Sequence, residues 1–330
     1  MRIGIVTPIY YPEIGGTTTI AETLNLAFLE LGHESEVLMW QPTGWHCSYF
    51  LKQLLHVVQR LIHLDAVVLV HPTLKIGLLA RVLVKRMIIS HHMIYENTSP
   101  FRISSLLRLA LVHSAPNIAC SSFVARSIPV TSKVVFNGYR NDLFHASKDT
   151  IRDIDVVFLG SLSISKGIDL AIDVIDRVAD RMRLLGKRFT FKFVGPKSDS
   201  FEVAAALEAR DLPLDSIHGP VSLEGVSQIF ARAKVAIVPS KDEPFGIVAL
   251  EAMACGACVV AAAEGGLIEA VGTGGVLLPR SRPDLWAQEV ENLLNDEASR
   301  DRKSQQAIEH LASFHPRSIA KGYLQALDET

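Results

Sequence analysis

Short apolar runs rich in Val, Ile and Phe recur along the chain, and the segments between them carry apolar residues at helical spacing. In the first half the runs fall at residues 2–6, 35–39, 66–70, 86–90, 117–120 and 133–136; in the second at 154–160, 189–194, 215–218, 234–239, 258–262 and 275–278. Runs that are apolar on both faces and alternate with helices predict parallel strands covered on two sides, hence an α/β fold. Twelve such strands fit one very large sheet or two modest ones. A polar stretch, from Asn137-Gly-Tyr-Arg-Asn-Asp142 on to Asp153, has the composition of a linker and falls near the middle. The economical reading is two Rossmann-like domains, 1–147 and 148–313, with a ligand cleft between them at the carboxyl ends of the strands.

Residues 236–256, AIVPSKDEPFGIVALEAMACG, concentrate the candidate chemistry. Lys234–Pro239 reads as a buried strand. A helix is predicted to open at Pro244-Phe245-Gly246 and to run through Ile247, Val248, Leu250, Ala252, Met253 and Ala254. A helix start presents free N–H groups and a partial positive charge, which suits a phosphate. Glu243 and Glu251 stand around that start, and the stretch between them would rise ~12 Å as helix. Two carboxylates so placed can bracket an elongated ligand with an anionic centre and hydroxyl-rich ends, the layout of a nucleotide diphosphate sugar. A buried helix carrying two incidental acids has the same spacing, and spacing alone does not choose.

At 330 residues, 48% of them hydrophobic, the chain can bury two cores and is compact rather than disordered. A formal net charge of −2 argues against nucleic acid as a partner. The charge is unevenly spread. Between residues 50 and 115, Lys52, Arg60, Lys75, Arg81, Lys85, Arg86, Arg102 and Arg108 face only Asp65 and Glu96, among many Leu, Val and Ile. A basic, apolar surface of that kind suits an anionic bilayer, although solvated faces of ordinary helices have the same composition. The apolar stretches at 61–70, 76–90 and 103–113 are too short or too interrupted by charge to cross a membrane. Met1–Val6 runs straight into a strand without a signal-peptide cleavage region, and four cysteines suggest a reducing compartment without a disulfide framework. The expected location is cytoplasmic, peripheral on the inner face of the membrane.

Other segments add candidates. The first strand leads into Thr7-Pro-Ile-Tyr-Tyr-Pro-Glu-Ile-Gly-Gly16, which lacks the Gly-x-Gly-x-x-Gly fingerprint of dehydrogenases. Gly15 and Gly16 would let backbone amides approach a phosphate at a helix start, or serve only as a tight turn. Phe158-Leu-Gly160 with Lys166-Gly167 repeats the strand-to-helix transition, and Lys166 could meet a diphosphate as a point charge. His91 and His92 follow the strand Met87–Ser90, where a side chain tends to face a cleft; only His71 is near in sequence, so a hydrogen-bonding or substrate-orienting role fits better than a metal. Three patterns are set aside. Cys255-Gly-Ala-Cys258 has no second pair for zinc and follows a helix rather than opening one. Asp153-Ile-Asp155 precedes a strand at the linker. Gly272-Thr-Gly-Gly275 lacks the Lys-Ser/Thr of a phosphate loop.

Taken in order, these pieces resemble the retaining glycosyltransferases of family 4, with the GT-B fold, over nearly the whole chain. The resemblance rests on Pro8-x-x-Tyr11-Pro12-x-x-Gly15-Gly16 with Gly32-His33-Glu34, on Ser121 at a strand end, and on Asn137-Gly138 with Phe144. It rests further on Phe158-Leu-Gly160 with Lys166-Gly167, on Glu243-Pro-Phe-Gly through Glu251-Ala-Met-Ala-x-Gly256, and on Gly265-Gly266-x-x-Glu269. It implies transfer of a sugar from a nucleotide diphosphate donor to the hydroxyl of a glycan or lipid-linked acceptor, with the anomeric configuration kept, in bacterial surface polysaccharide, lipopolysaccharide or glycolipid assembly. By the family's pattern Glu243 would hold hydroxyls of the donor sugar and Glu251 the ribose. Backbone N–H groups around Phe245, Gly246 and Ile247 would meet the diphosphate, Lys166 would neutralise it as it departs, Gly15 and Gly16 would touch it from the first domain, and His92 would lie near the transferred sugar. No metal or other cofactor is expected. The segment 314–330 resembles the terminal helix that returns to the first domain in GT-B enzymes.

The chain departs from the pattern at Ser161, in the donor-binding stretch, where the family usually has an arginine paired with the lysine on the diphosphate. Arg140 or Lys197 are candidates to compensate. Cys258 replaces a common proline, and few residues separate Trp40 from the strand at Asp65, which shortens the first domain. Two other readings stand beside the transferase: a GT-B sugar-nucleotide epimerase, and a non-catalytic nucleotide-sugar binding subunit of a partner transferase.

Overall fold

A computed structural model describes residues 1–8, 10, 15–40, 47–95, 103–146, 150–198 and 201–330, with the backbone alone for 47–53. Contacts divide the chain into two compact units, Met1–Tyr139 with Phe314–Thr330, and Arg140–Ser313. The expected boundary at residue 147 lies outside the described residues; Arg140–Ala146 groups with the second unit. Tyr11 and Pro12 of the amino-terminal motif also lie outside them.

Each unit carries one six-stranded parallel sheet. In the first, β1 (Arg2–Thr7), β2 (Glu34–Met39), β3 (Ala66–Val70), β4 (Arg86–His91), β5 (Asn117–Ala119) and β6 (Ser132–Val134) lie in the order β2-β1-β3-β4-β5-β6. Ile5 of β1 is in register with Val37 on one side and Val68 on the other, so its side chain joins an apolar row. The helix Gly16–Glu30 buries Ile20, Leu24, Ala27 and Phe28, a helical spacing that places one face on the core. The helix Pro316–Asp328 opens with proline in its first turn and buries Ile319, Ala320, Tyr323, Ala326 and Leu327 at the same spacing.

In the second unit, β7 (Ile154–Leu159), β8 (Phe191–Val194), β9 (Ile217–His218), β10 (Ala233–Val238), β11 (Cys258–Ala262) and β12 (Val276–Leu278) lie in the order β12-β11-β10-β7-β8-β9. The order reverses between β10 and β7, and open α/β sheets bind ligands outside the carboxyl ends of strands at such a point. Val235 faces Val156 on β7 and Cys258 on β11, so β10 is buried on both sides.

The helix after β10 starts later than the sequence suggests. It spans Ile247–Ala254, with Gly246 as its N-cap at φ 103°. Pro244 therefore sits in the loop, not in the first turn. Gly246 takes a left-handed conformation that L-residues avoid, and a Cβ there would lie 2.4 Å from Leu267 Cδ2. At the other end the Arg152 guanidinium donates to the carbonyls of Cys255 at 2.9 Å and Ala233 at 2.5 Å. A cation at a helix carboxyl end meets the negative pole of the peptide dipoles.

Candidate active site

Two loops leave the carboxyl ends of β7 and β10 and lock together. Lys166 ends a short 3-10 turn, Ile164–Lys166, and is followed by Gly167 at φ 78°. A Cβ on Gly167 would lie 2.1 Å from the Pro239 carbonyl oxygen, so only glycine permits this approach. Beside it the Lys241 N–H donates to the Ser165 carbonyl at 2.9 Å. The result is that Lys166 Nζ donates to Glu243 Oε2 at 2.7 Å, across 77 positions of sequence. The Glu243 side chain is mostly covered, at 13% exposure, while Lys166 remains 38% exposed and open to an incoming anion. From below, the Gly266 N–H donates to the Glu243 carbonyl at 2.8 Å. The Gly265-Gly266 pair thus serves as the floor of the Glu243 loop.

Past the loop, no side chain caps the helix at Gly246; the Ala249 N–H donates to the Gly246 carbonyl at 3.0 Å, and the N–H groups ahead of it suit an anion. Phe245 is buried and anchors this turn, while Ile247 is half-buried. Glu251 lies one turn further along and is 7% exposed. Burial alone pushes its carboxyl up to about 7. A buried carboxyl with no charge or hydrogen bond to offset the loss of water is costly, and ligand hydroxyls are the kind of partner that removes the cost.

Ser161 follows Gly160 at the end of β7 and is half-buried. Neither proposed substitute for an arginine there is ready-made. Arg140 is committed to Asp142 through two hydrogen bonds of 2.7 and 2.6 Å. Lys197 is exposed and pairs through its backbone with Leu162, one residue from Ser161.

The first unit holds the remaining candidates. Gly15 is the N-cap of the helix Gly16–Glu30; both glycines are exposed, and a Cβ on either would meet no described residue within 4 Å. His92 is buried just beyond β4, with Nε2 at 2.8 Å from Ser90 Oγ. Its pKa is held well below the usual imidazole value by burial, so it is neutral. His91 is tied to Asn117 Oδ1 at 2.8 Å and is accounted for as a core histidine. His71, noted in the sequence only as the nearest other histidine, lies just past β3 with its ring edge-on to His92, centroids 5.8 Å apart. Burial pushes His71 down to about 4. Ser121 is a structural cap that accepts from the Val124 N–H at 3.1 Å.

The patterns set aside also have structural accounts. Asp153 is paired with Arg232 and Asp155 with Lys234. Cys255 and Cys258 are buried free thiols, each pushed up to about 11 by burial. Gly272 and Gly274 make room for the His310 ring. Among the described residues no group of three His, Cys, Asp or Glu side chains is arranged to hold a metal ion. Nor is any helix among them long and apolar enough to cross a membrane.

Comparisons with known proteins agree on one family. The sequence model described as glycosyl transferases group 1 matches residues 142–310, just over half of the chain. A D-inositol 3-phosphate glycosyltransferase of Kribbella flavida is 36% identical over 169 residues, 49% of this chain and 40% of that protein. The chain thus covers well under half of that relative's length. An uncharacterized glycosyltransferase of Methanocaldococcus jannaschii is 23% identical over 98% of this chain and 97% of that one. Among solved structures, Anabaena HepE in complex with UDP and glucose superposes with a TM-score of 0.76 at 21% identity over 100% of both chains, which shows the fold. With two Rossmann-like α/β units of GT-B type and a family match across the unit that carries Lys166, Glu243 and Glu251, this chain belongs to the glycosyl transferases group 1.

Proposed function

We propose that the protein transfers a sugar, with retention of configuration, from a nucleotide diphosphate sugar to a hydroxyl of a glycan or lipid-linked acceptor. The observation that carries this reading is the Lys166–Glu243 pair beside an uncapped helix start, with a buried carboxyl stripped of water, Glu251, one turn along. In the proposed reaction the diphosphate takes Lys166 from Glu243, the helix N–H groups share its charge, and Glu243 turns to hydroxyls of the sugar. Glu251 receives the ribose. The bond from the anomeric carbon to the diphosphate oxygen breaks, the acceptor oxygen bonds on the same face, and its proton leaves on the diphosphate. Fixed cationic groups stabilise the charge that develops on the leaving group, and no metal is required in this scheme. The complex of HepE with UDP and glucose supports a donor of this class.

For the acceptor we propose surface polysaccharide or glycolipid assembly at an anionic membrane. The helices Leu74–Leu83 and Ile103–His113 pack against each other and contain no acid. They expose Leu78, Val82, Ile103, Leu106 and Leu107 beside Lys75 and Arg81. Apolar side chains interleaved with cations match the boundary of an anionic bilayer. One observation favours the binding-subunit reading instead: Ser161, where a second cation for the diphosphate would stand.

Purified protein assayed with UDP-, GDP- and ADP-sugars over a set of acceptors separates the two, and the anomeric signal of the product tests retention. Lys166→Ala and Glu243→Ala are expected to abolish transfer while the protein stays folded. Near-normal turnover in either variant removes the site assignment, and donor binding without transfer favours the binding subunit.

A further inference from the structure

His92 is held by a chain of buried hydroxyls that reaches the last helix. Ser90 Oγ lies 2.8 Å from His92 Nε2 and 2.6 Å from the Tyr323 hydroxyl. Tyr323 stands on the helix Pro316–Asp328, and Ser90, His92 and Tyr323 are all buried. A hydroxyl donates once, and a neutral imidazole donates from one nitrogen and accepts at the other. Among the described residues Tyr323 has no acceptor besides Ser90, and Ser90 has none besides His92 and Tyr323. Only one direction leaves no buried hydroxyl hydrogen idle: Tyr323 O–H donates to Ser90, and Ser90 O–H donates to His92 Nε2. In the reverse direction the Tyr323 hydrogen meets nothing. If Ser90 accepts from both, its own hydrogen is stranded.

That direction decides the tautomer. With Nε2 accepting, neutral His92 carries its hydrogen on Nδ1. Nδ1 is buried and has no hydrogen-bond partner among the described residues, and the same is true of His71 Nε2 and Asn137 Oδ1. His71 meets the His92 ring edge-on, and the Asn137 side chain is within hydrogen-bonding reach of His92, though not aligned as a bond. Buried polar groups in folded proteins are nearly all paired: Asn137 Oδ1 is the nearest acceptor for the His92 Nδ1–H, and a ligand hydroxyl placed among His92, His71 and Asn137 would complete the bonding of all three.

We propose that Tyr323 and Ser90 are positioning residues that hold His92 as the Nδ1–H tautomer, so that it presents an N–H donor to a hydroxyl of the bound substrate. The substrate part rests on the transferase reading above; the tautomer does not. Histidine-selective ¹⁵N NMR of the whole protein reads the tautomer directly. The wild type is expected to show His92 as Nδ1–H. Tyr323→Phe, which keeps the ring and removes the hydroxyl, is expected to give a mixture, and Ser90→Ala to shift His92 to Nε2–H. In transfer assays Tyr323→Phe should lower kcat on the order of 5-fold, the worth of one hydrogen bond, with the donor KM unchanged. An Nε2–H signal in the wild type overturns the relay, as does an unchanged tautomer in both variants. An unchanged kcat with an altered tautomer overturns the role in positioning. Because the NMR arm needs no activity, failure of the transferase reading shows separately, as no transfer by the wild type from any donor.

Discussion

Glu251 lies on the buried face of its helix, and its raised pKa ties stability to pH. The folded carboxyl titrates near 7 against 4.5 when free, so the folded state holds the proton more tightly. The contribution of this group to stability is therefore greatest below about 4.5, falls as pH rises to about 7, and is level above that. A shift of this size is worth roughly 3 kcal/mol. Glu251→Gln should gain up to that amount at pH 8 and almost nothing at pH 4.5, in urea unfolding at both values; a wild type and variant that fall in parallel contradict the assignment. The same group makes a ligand prediction. If the carboxylate is the form that takes ribose hydroxyls, nucleoside diphosphate affinity rises roughly 10-fold from pH 6 to 8, since the competent fraction rises by that factor. Calorimetry on Glu251→Gln should show only the ligand's own pH dependence. At this scale the acids and the lysine were legible in the sequence, because carboxylates and a cation next to glycine-flanked strand ends are rare chemistry. Their pairing was not, since Lys166 and Glu243 meet only through a loop contact 77 residues apart.

The elements around these residues owe their shape to backbone contacts. A Cβ on Gly266 would stand 2.1 Å from the Pro244 carbonyl oxygen and 2.6 Å from Phe245 Cα, both backbone atoms that cannot swing aside. Gly266→Ala should therefore cost about 2 kcal/mol of stability and weaken nucleotide binding, as the Glu243 loop is pushed off its floor. Calorimetric melting and UDP titration check both effects; intact affinity would mean that the loop is not positioned from this side. On the first unit, the exposed stripe Ile103, Leu106, Leu107 follows helical spacing outward rather than inward. Val82→Glu with Leu106→Glu should reduce flotation with anionic vesicles several-fold without changing the melting temperature. Equal binding to neutral and anionic vesicles would argue against a charge-directed contact. All twelve apolar runs became strands because β-branched residues suit a sheet buried on both faces. The helix start was misplaced by three residues because proline at a first turn is a local preference, whereas the chain reaches the helix through a left-handed Gly246 that the proline does not reveal.

At the scale of the whole chain, the last helix completes a unit begun more than three hundred residues earlier. Ile319, Tyr323 and Leu327 are buried in the first unit. Burial of three such side chains contributes on the order of 5 kcal/mol, comparable to the full stability of many domains. A chain ending at Ser313 should lose hydrogen-exchange protection in β1, β3 and β4 while β7 and β10 stay protected; unchanged protection in the first unit would show that the helix is dispensable. The sequence by itself determined the α/β class, the number of strands and the residue types at the donor site, because each depends on short-range periodicity or on side-chain chemistry that no context alters. The tertiary structure alone decided three things: that Lys166 closes on Glu243, that Glu251 is buried away from water, and that Tyr323 reaches His92 through Ser90. Each is a relation between segments distant in sequence, fixed by where packed loops and helices bring backbone atoms within contact, and no local pattern encodes such a distance.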